Sequence, residues 1–151
     1  MSETSVADIV RRHVGERPQA PALVMGDDVL TYAELDRRAN RVANGLVAAG
    51  VKPGARIALL AKNGLEFFEL LFGTMKAGAV LVPVNFRLAP PEISYVVNDA
   101  QADLFFVGRD FYDLAAQIRG DLATVRTLFA LDGGREEWKS YAPWRDRHAD
   151  E

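Results

Sequence analysis

An α/β fold is what this sequence predicts: an open, mostly parallel sheet with helices on both faces, preceded by a β-hairpin. Three observations carry the expectation. Short, wholly apolar segments recur along the chain, as in Ile57-Ala58-Leu59-Leu60 and Leu104-Phe105-Phe106-Val107. Continuous apolarity, rather than alternation, is the mark of strands buried on both faces of a parallel sheet. Between these segments lie stretches with helical spacing, and the connections are short, so strand and helix alternate as in βαβ units.

The elements follow in order. Val6, Ile9, Val10 and Val14 recur at helical spacing, and Gly15 and Pro18 close that helix. Ala22-Leu23-Val24-Met25 and Val29-Leu30-Thr31-Tyr32 flank Gly26-Asp27-Asp28, residues that tolerate tight-turn dihedrals, which predicts a hairpin. Thr31 with Glu34 three residues later is a capping-box pattern. The helix it opens carries Leu35, Ala39, Val42, Ala43 and Leu46 on one face and Arg37, Arg38, Asn40 and Arg41 on the other. Gly50 stands where a left-handed C-terminal cap belongs.

Residues 56–61 then form a buried strand. In the next helix Leu65, Phe68, Leu71, Phe72 and Met75 are the expected buried stripe. Gly73 inside that helix costs about 1 kcal/mol relative to Ala, which points to a close helix–sheet contact. Gly78 ends the helix, and residues 79–84 are a second strand. Pro90 and Pro91 can open a helix carried by Ile93, Val96, Val97 and Ala100. Residues 104–107 are a third strand, 111–118 a helix and 125–131 a fourth strand. Residues 1–134 thus form the α/β portion. Residues 135–151 read as a polar tail containing Trp138, Tyr141 and Trp144 but no convincing strand.

Composition narrows the function classes. The 151 residues are nearly half apolar and carry 18 Lys plus Arg against 21 Asp plus Glu, a net charge of −3. That balance gives no electrostatic basis for binding nucleic acid or an anionic membrane. With no cysteine, disulfides and thiolate metal sites are excluded. The start, Met1-Ser2-Glu3-Thr4-Ser5, lacks the layout of a secretory signal, and no apolar run is long enough to cross a bilayer. The expected location is the cytoplasm.

The chemistry-bearing residues are few. Neither a Walker loop nor a dinucleotide GxGxxG is present. His13 and His148 lie near opposite ends and form no zinc pattern; His13 reads as a partly exposed helix residue rather than a general base. Gly133-Gly134 reads as a turn rather than a phosphate cradle. Glu66 and Glu69 read as solvated surface charges rather than an acid/base pair. No catalytic residue and no metal ligand is assigned.

Two stretches say more. Leu30-Thr31-Tyr32-Ala33-Glu34-Leu35 resembles the first core motif of the adenylate-forming superfamily. Met75-Lys76-Ala77-Gly78-Ala79-Val80-Leu81-Val82-Pro83-Val84-Asn85 resembles its second. Each is weak alone; together, in order and at this separation, with Lys52-Pro53-Gly54-Ala55-Arg56-Ile57-Ala58 between them, they are specific. The resemblance spans residues 9–131. Asn85-Phe86-Arg87-Leu88-Ala89-Pro90-Pro91-Glu92-Ile93 and Val97-Asn98-Asp99 place it nearest the fatty- and aryl-acid CoA ligases.

This resemblance implies an incomplete part of the large N-terminal domain of an acyl-CoA synthetase. Such an enzyme uses ATP, Mg2+ and CoA to convert a carboxylic acid, here more a fatty than an aryl acid, through an acyl-adenylate to acyl-CoA. The family's Ser/Thr/Gly-rich phosphate loop, its magnesium-supporting acidic residue and its adenylation lysine do not occur in this sequence. An isolated chain is therefore expected to bind no cofactor tightly, to catalyse nothing, to require the C-terminal remainder of the same protein, and to self-associate through surfaces meant for it. One residue carries over: in similar ligases the arginine of the Asn-x-Arg-Leu segment lies near the nucleotide phosphate of CoA, and Arg87 holds that position. Its alternative is a surface arginine paired with a carboxylate such as Glu92. The alternative for the whole chain is a stand-alone α/β binding module without catalysis.

Overall fold

The computed structural model describes residues 5–151. The reading of the extreme N-terminus as lacking a secretory signal falls partly on residues 1–4, outside the described residues. Helix α1 (Asp8–Glu16) buries Val10 and leads into the hairpin of β1 (Pro21–Met25) and β2 (Asp28–Thr31), which pair antiparallel. Gly26 turns the hairpin at φ +59°, in the left-handed region where a side chain would be strained.

The capping box forms as expected. Helix α2 (Tyr32–Ala48) begins with the Glu34 N–H donating to Thr31 Oγ1 at 3.2 Å and the Thr31 N–H donating to the Glu34 carboxylate at 2.8 Å. It ends in a Schellman motif: Gly50 at φ +81° donates to the Val47 carbonyl, and Val51 donates to the Leu46 carbonyl. Helix α3 (Leu65–Lys76) ends in the same way at Gly78, and helix α4 (Pro90–Asp99) does so with Gln101, not glycine, at positive φ.

A five-stranded, all-parallel sheet holds the core, in the order β4-β3-β5-β6-β7. Its strands are β3 (Arg56–Leu60), β4 (Val80–Pro83), β5 (Leu104–Val107), β6 (Thr127–Ala130) and β7 (Lys139–Ser140). Side chains alternate between two apolar layers. Ile57, Leu59, Leu104, Phe106 and Phe129 pack beneath α2, α3 and helix α6 (Tyr141–Asp146). Ala58, Leu60, Phe105, Val107 and Leu128 pack beneath α4 and helix α5 (Tyr112–Ile118). Both faces are therefore covered, as continuous apolar strands require.

Three expectations need correction. The buried stripe of α3 is Glu69, Leu70, Gly73 and Thr74, whereas Phe68 is exposed and Leu65, Leu71, Phe72 and Met75 are only partly buried. The helix is wedged between the sheet and α2, so two of its sides are covered. Gly73 does serve a close contact, but with a helix rather than the sheet: a Cβ there would lie 2.5 Å from the Val42 side chain and 2.9 Å from the Ala39 carbonyl. Residues 135–151, in which no strand was expected, contain β7 and α6. Tyr141 and Trp144 of α6 enter the core against Phe106 and Phe129.

Strand β4 forms one edge of the sheet, which leaves Val80 exposed. The Val80 and Val84 amides bond to the carbonyls of Ala55 and Leu59 in the β3 region. By the period of two, Leu81 and Pro83 face outward, so proline's missing N–H falls on the unpaired edge.

Candidate functional site

The topology points to one end of the sheet. From β3 the chain goes out to β4 through α3, then returns across β3 through α4 to β5 and continues to β6 through α5. Winding therefore reverses between β3 and β5. In open α/β sheets, a crevice opens at the carboxyl ends of the strands where winding reverses, and ligands bind there.

A crevice of about 290 Å³ lies at that point. Its lining includes Lys62, Asn63 and Phe67 from beyond β3, Arg109 and Asp110 from beyond β5, and Asp132 from beyond β6. Gly108 permits the close approach of the two loops, since a Cβ there would sit 3.0 Å from that of Ala61. The Lys62 ammonium pairs with Asp110 at 3.0 Å, both groups well exposed. Asp132 accepts the Arg109 backbone N–H at 3.0 Å. The Tyr112 hydroxyl bonds both the carbonyl and the N–H of Asp132, and burial raises its pKa. A second hollow of about 280 Å³ adjoins the first; it shares Leu59, Ala61, Asn63 and Phe67 and is bounded by Asn85 and Phe86 at the end of β4.

Arg87 stands in that β4 loop, exposed. Its own N–H donates to Asn85 Oδ1 at 3.0 Å, which fixes the turn. Its guanidinium lies 5.5 Å from the centroid of the Phe86 ring. Among the described residues it has no carboxylate partner; the Glu92 carboxylate accepts the Ala89 N–H at 2.7 Å at the start of α4. Phe86 in turn packs on Phe111, with centroids 5.5 Å apart, and so joins the loops that follow β4 and β5.

The other candidates fall elsewhere. His13 is partly buried against Tyr32 and near Glu16, and His148 against Trp144. Gly133 makes a turn at φ +70°. Glu69 corrects the sequence reading most sharply, for it is fully buried rather than solvated. Its carboxylate accepts from Arg38 at 2.9 Å, Arg145 at 2.7 Å and the Tyr141 hydroxyl at 2.9 Å, which ties α2, α3 and α6 together. Lys76, within the second motif, is likewise structural: its ammonium reaches Asp36 at 2.6 Å and Asn40 at 2.7 Å on α2. The motifs thus build the scaffold, and the open chemistry lies at the sheet's carboxyl end. Sequence reasoning did not find Lys62, Asn63, Arg109 or Asp132, since only the strand order brings them together.

A family model for AMP-binding enzymes matches residues 10–151, from within the first helix to the last residue. The chain belongs to the AMP-binding enzyme family. It is 38% identical over 138 residues to a fatty acid–[acyl-carrier-protein] ligase of Streptomyces coeruleorubidus, a match covering 91% of this chain and 25% of that protein. It is 51% identical over 87 residues to a feruloyl-CoA synthase of an Amycolatopsis species, covering 58% of this chain and 18% of that one. A crystal structure of an anthranilate CoA ligase in complex with anthranoyl-AMP superposes with a TM-score of 0.92 at 30% identity, over 96% of this chain and 28% of that one. The chain spans about a quarter of the length of the curated relatives that match most of it.

Proposed function

We propose that this chain is the N-terminal part of an ATP-dependent acyl-CoA synthetase that acts on fatty acids in the cytoplasm. The complete enzyme activates a carboxylate with ATP, releases pyrophosphate, and passes the acyl group from the adenylate to the CoA thiol. Activation is needed because a carboxylate oxygen is a poor leaving group until adenylated. The single observation that carries the reading is the family match along nearly the whole chain. The match to a fatty acid ligase over 91% of the chain supports the choice of acid.

This chain's own part is scaffold and acceptor binding. Among the described residues no three His, Asp or Glu side chains converge as metal ligands, and the sequence has no glycine-rich phosphate loop. Magnesium, which the family implies, therefore finds no such ligand set among the described residues. Arg87 fits the acceptor: an exposed guanidinium without a carboxylate partner among the described residues suits a phosphate, with which its planar fork makes two charge-assisted bonds.

In the complete enzyme, Arg87→Ala raises the KM for CoA about tenfold or more and leaves acid-dependent pyrophosphate release unchanged. An unchanged KM removes the assignment. The isolated chain releases no pyrophosphate from ATP when acid is added; measurable release by the purified chain contradicts the proposal that it lacks the chemistry.

A further inference from the structure

Past helix α6 the chain lies against α2 and is held there by side chains. Asn44 Nδ2 donates to the main-chain oxygens of Ala149 at 2.8 Å and Glu151 at 3.2 Å, and Asn40 Nδ2 donates to that of Asp150 at 2.9 Å. Arg41, also on α2, reaches the carboxylates of Asp146 and Asp150, each at 3.5 Å. The Asn40 amide is itself fixed from α3, because the Lys76 ammonium donates to its Oδ1 at 2.7 Å. Residues 147–151 have no helix or strand of their own, so these bonds are what hold them as a strap across α2.

His148, within this strap, is half-buried. Its ring packs on Trp144, with centroids 5.6 Å apart, and on α2 at Gly45, where a Cβ would lie 2.9 Å from the His148 Cδ2. The Nε2 beside that carbon is buried and has no hydrogen-bond partner in the protein. A neutral ring tolerates this, with Nε2 as its unprotonated nitrogen. A protonated ring would place a charged N–H there with no acceptor, which is costly.

The charged groups around the ring offer no relief. On its own segment Arg145 and Asp146 are bonded to each other at 2.8 Å, and Arg147 adds a like charge. Arg41 of α2 is shared between Asp146 and Asp150. Glu151 lies in a hollow with Asp8 and Arg11 of α1 and Lys76 of α3. Burial first, and Arg147 second, hold the His148 pKa below its ordinary value of 6.5.

We propose that residues 147–151 form a pH-sensitive strap, which His148 pins to α2 while neutral and which protonation of His148 releases. The released form takes up the proton more readily, so docking is strongest above pH 6.5 and is lost as pH falls below it. One ring binds one proton, so the ratio of released to docked strap rises by at most about tenfold per pH unit. Release frees the Asn40 and Asn44 amides and withdraws Glu151 from the hollow that they line together.

The test follows the heteronuclear 15N NOE of the 151-residue chain from about pH 8 to about pH 5, with the His148 ring titrated in the same samples. The amides of residues 149–151 are expected to be as rigid as those of α2 at the upper end and to lose that rigidity at the lower end, while α2 keeps it. His148→Phe should hold the strap throughout. Asn44→Ala, which removes two of the strap's hydrogen bonds, should raise the His148 pKa toward 6.5, since the coupling is reciprocal. A strap equally rigid, or equally mobile, at both ends of the range overturns the proposal. So does release that persists in His148→Phe, which assigns it to the carboxylates of Asp146, Asp150 or Glu151. An unchanged His148 pKa in Asn44→Ala shows that the ring does not sense docking, and simultaneous loss of rigidity in α2 shows unfolding instead of release; either result overturns it as well.

Discussion

The side of the sheet covered by α2, α3 and α6 and the carboxyl end of the same sheet use similar residues to opposite ends. On the first, the buried charges are spent. Glu69 is fully buried with three donors on its carboxylate, and Lys76 is nearly buried between Asp36 and Asn40. Gly73 and Gly45 leave no room for a methyl group against Val42 and Trp144. At the second, Arg87 and Arg109 are exposed and uncommitted, and the crevice walls are lined with half-used polar groups. The difference separates residues that hold the fold from residues free to hold a ligand. Family motifs mark the first kind, and strand order reveals the second.

The comparison can be broken by substitution. The largest effect is expected at Glu69: Glu69→Ala leaves two guanidinia and a hydroxyl facing a vacated buried site, and should cost about 3–5 kcal/mol in urea unfolding. Gly73→Ala comes next, at about 1–3 kcal/mol, because its Cβ meets a stiff valine and a backbone carbonyl that cannot move aside. Thr31→Ala removes one half of the capping box and should cost about 1 kcal/mol. At the other extreme, Arg87→Ala should change stability by no more than about 0.5 kcal/mol, since that side chain bonds nothing in the protein.

A pH titration of stability sharpens the same contrast. Burial lowers the pKa of His148, so the unfolded chain takes up a proton there first. Its contribution is present above the ordinary histidine value of 6.5 and is lost as pH falls below it. Asp146, held down chiefly by its bond to Arg145, and Glu34, held down by Thr31, act further into acid. Stability should therefore fall in two stages on acidification, and His148→Phe should flatten the first. A first stage that persists in that variant assigns it to another group.

Much of the fold was legible because local rules and packing agree there. Thr31 and Glu34 announced a helix start, Gly50 and Gly78 announced helix ends, and the apolar strands announced burial on both faces. Where sequence reasoning failed, distant partners decided. Glu69 looks like a surface charge until Arg38, 31 residues away, and Arg145, 76 away, are folded onto it. Residues 135–151 look polar, yet Tyr141 and Trp144 reach a core assembled from β5 and β6. Arg87 was visible only through the family resemblance. Arg109 and the crevice were not visible at all, because nothing local records that β3 and β5 are neighbours.

The most direct test of the division between scaffold and acceptor site is thermal unfolding of the 151-residue chain and its Arg87→Ala variant, with and without saturating CoA. A ligand that binds only the folded chain raises its melting temperature. Equal melting temperatures are expected without CoA, with a rise on adding CoA to the parent and little or no rise in the variant. A variant that melts well below the parent without CoA, or one that gains the full rise, would contradict that division.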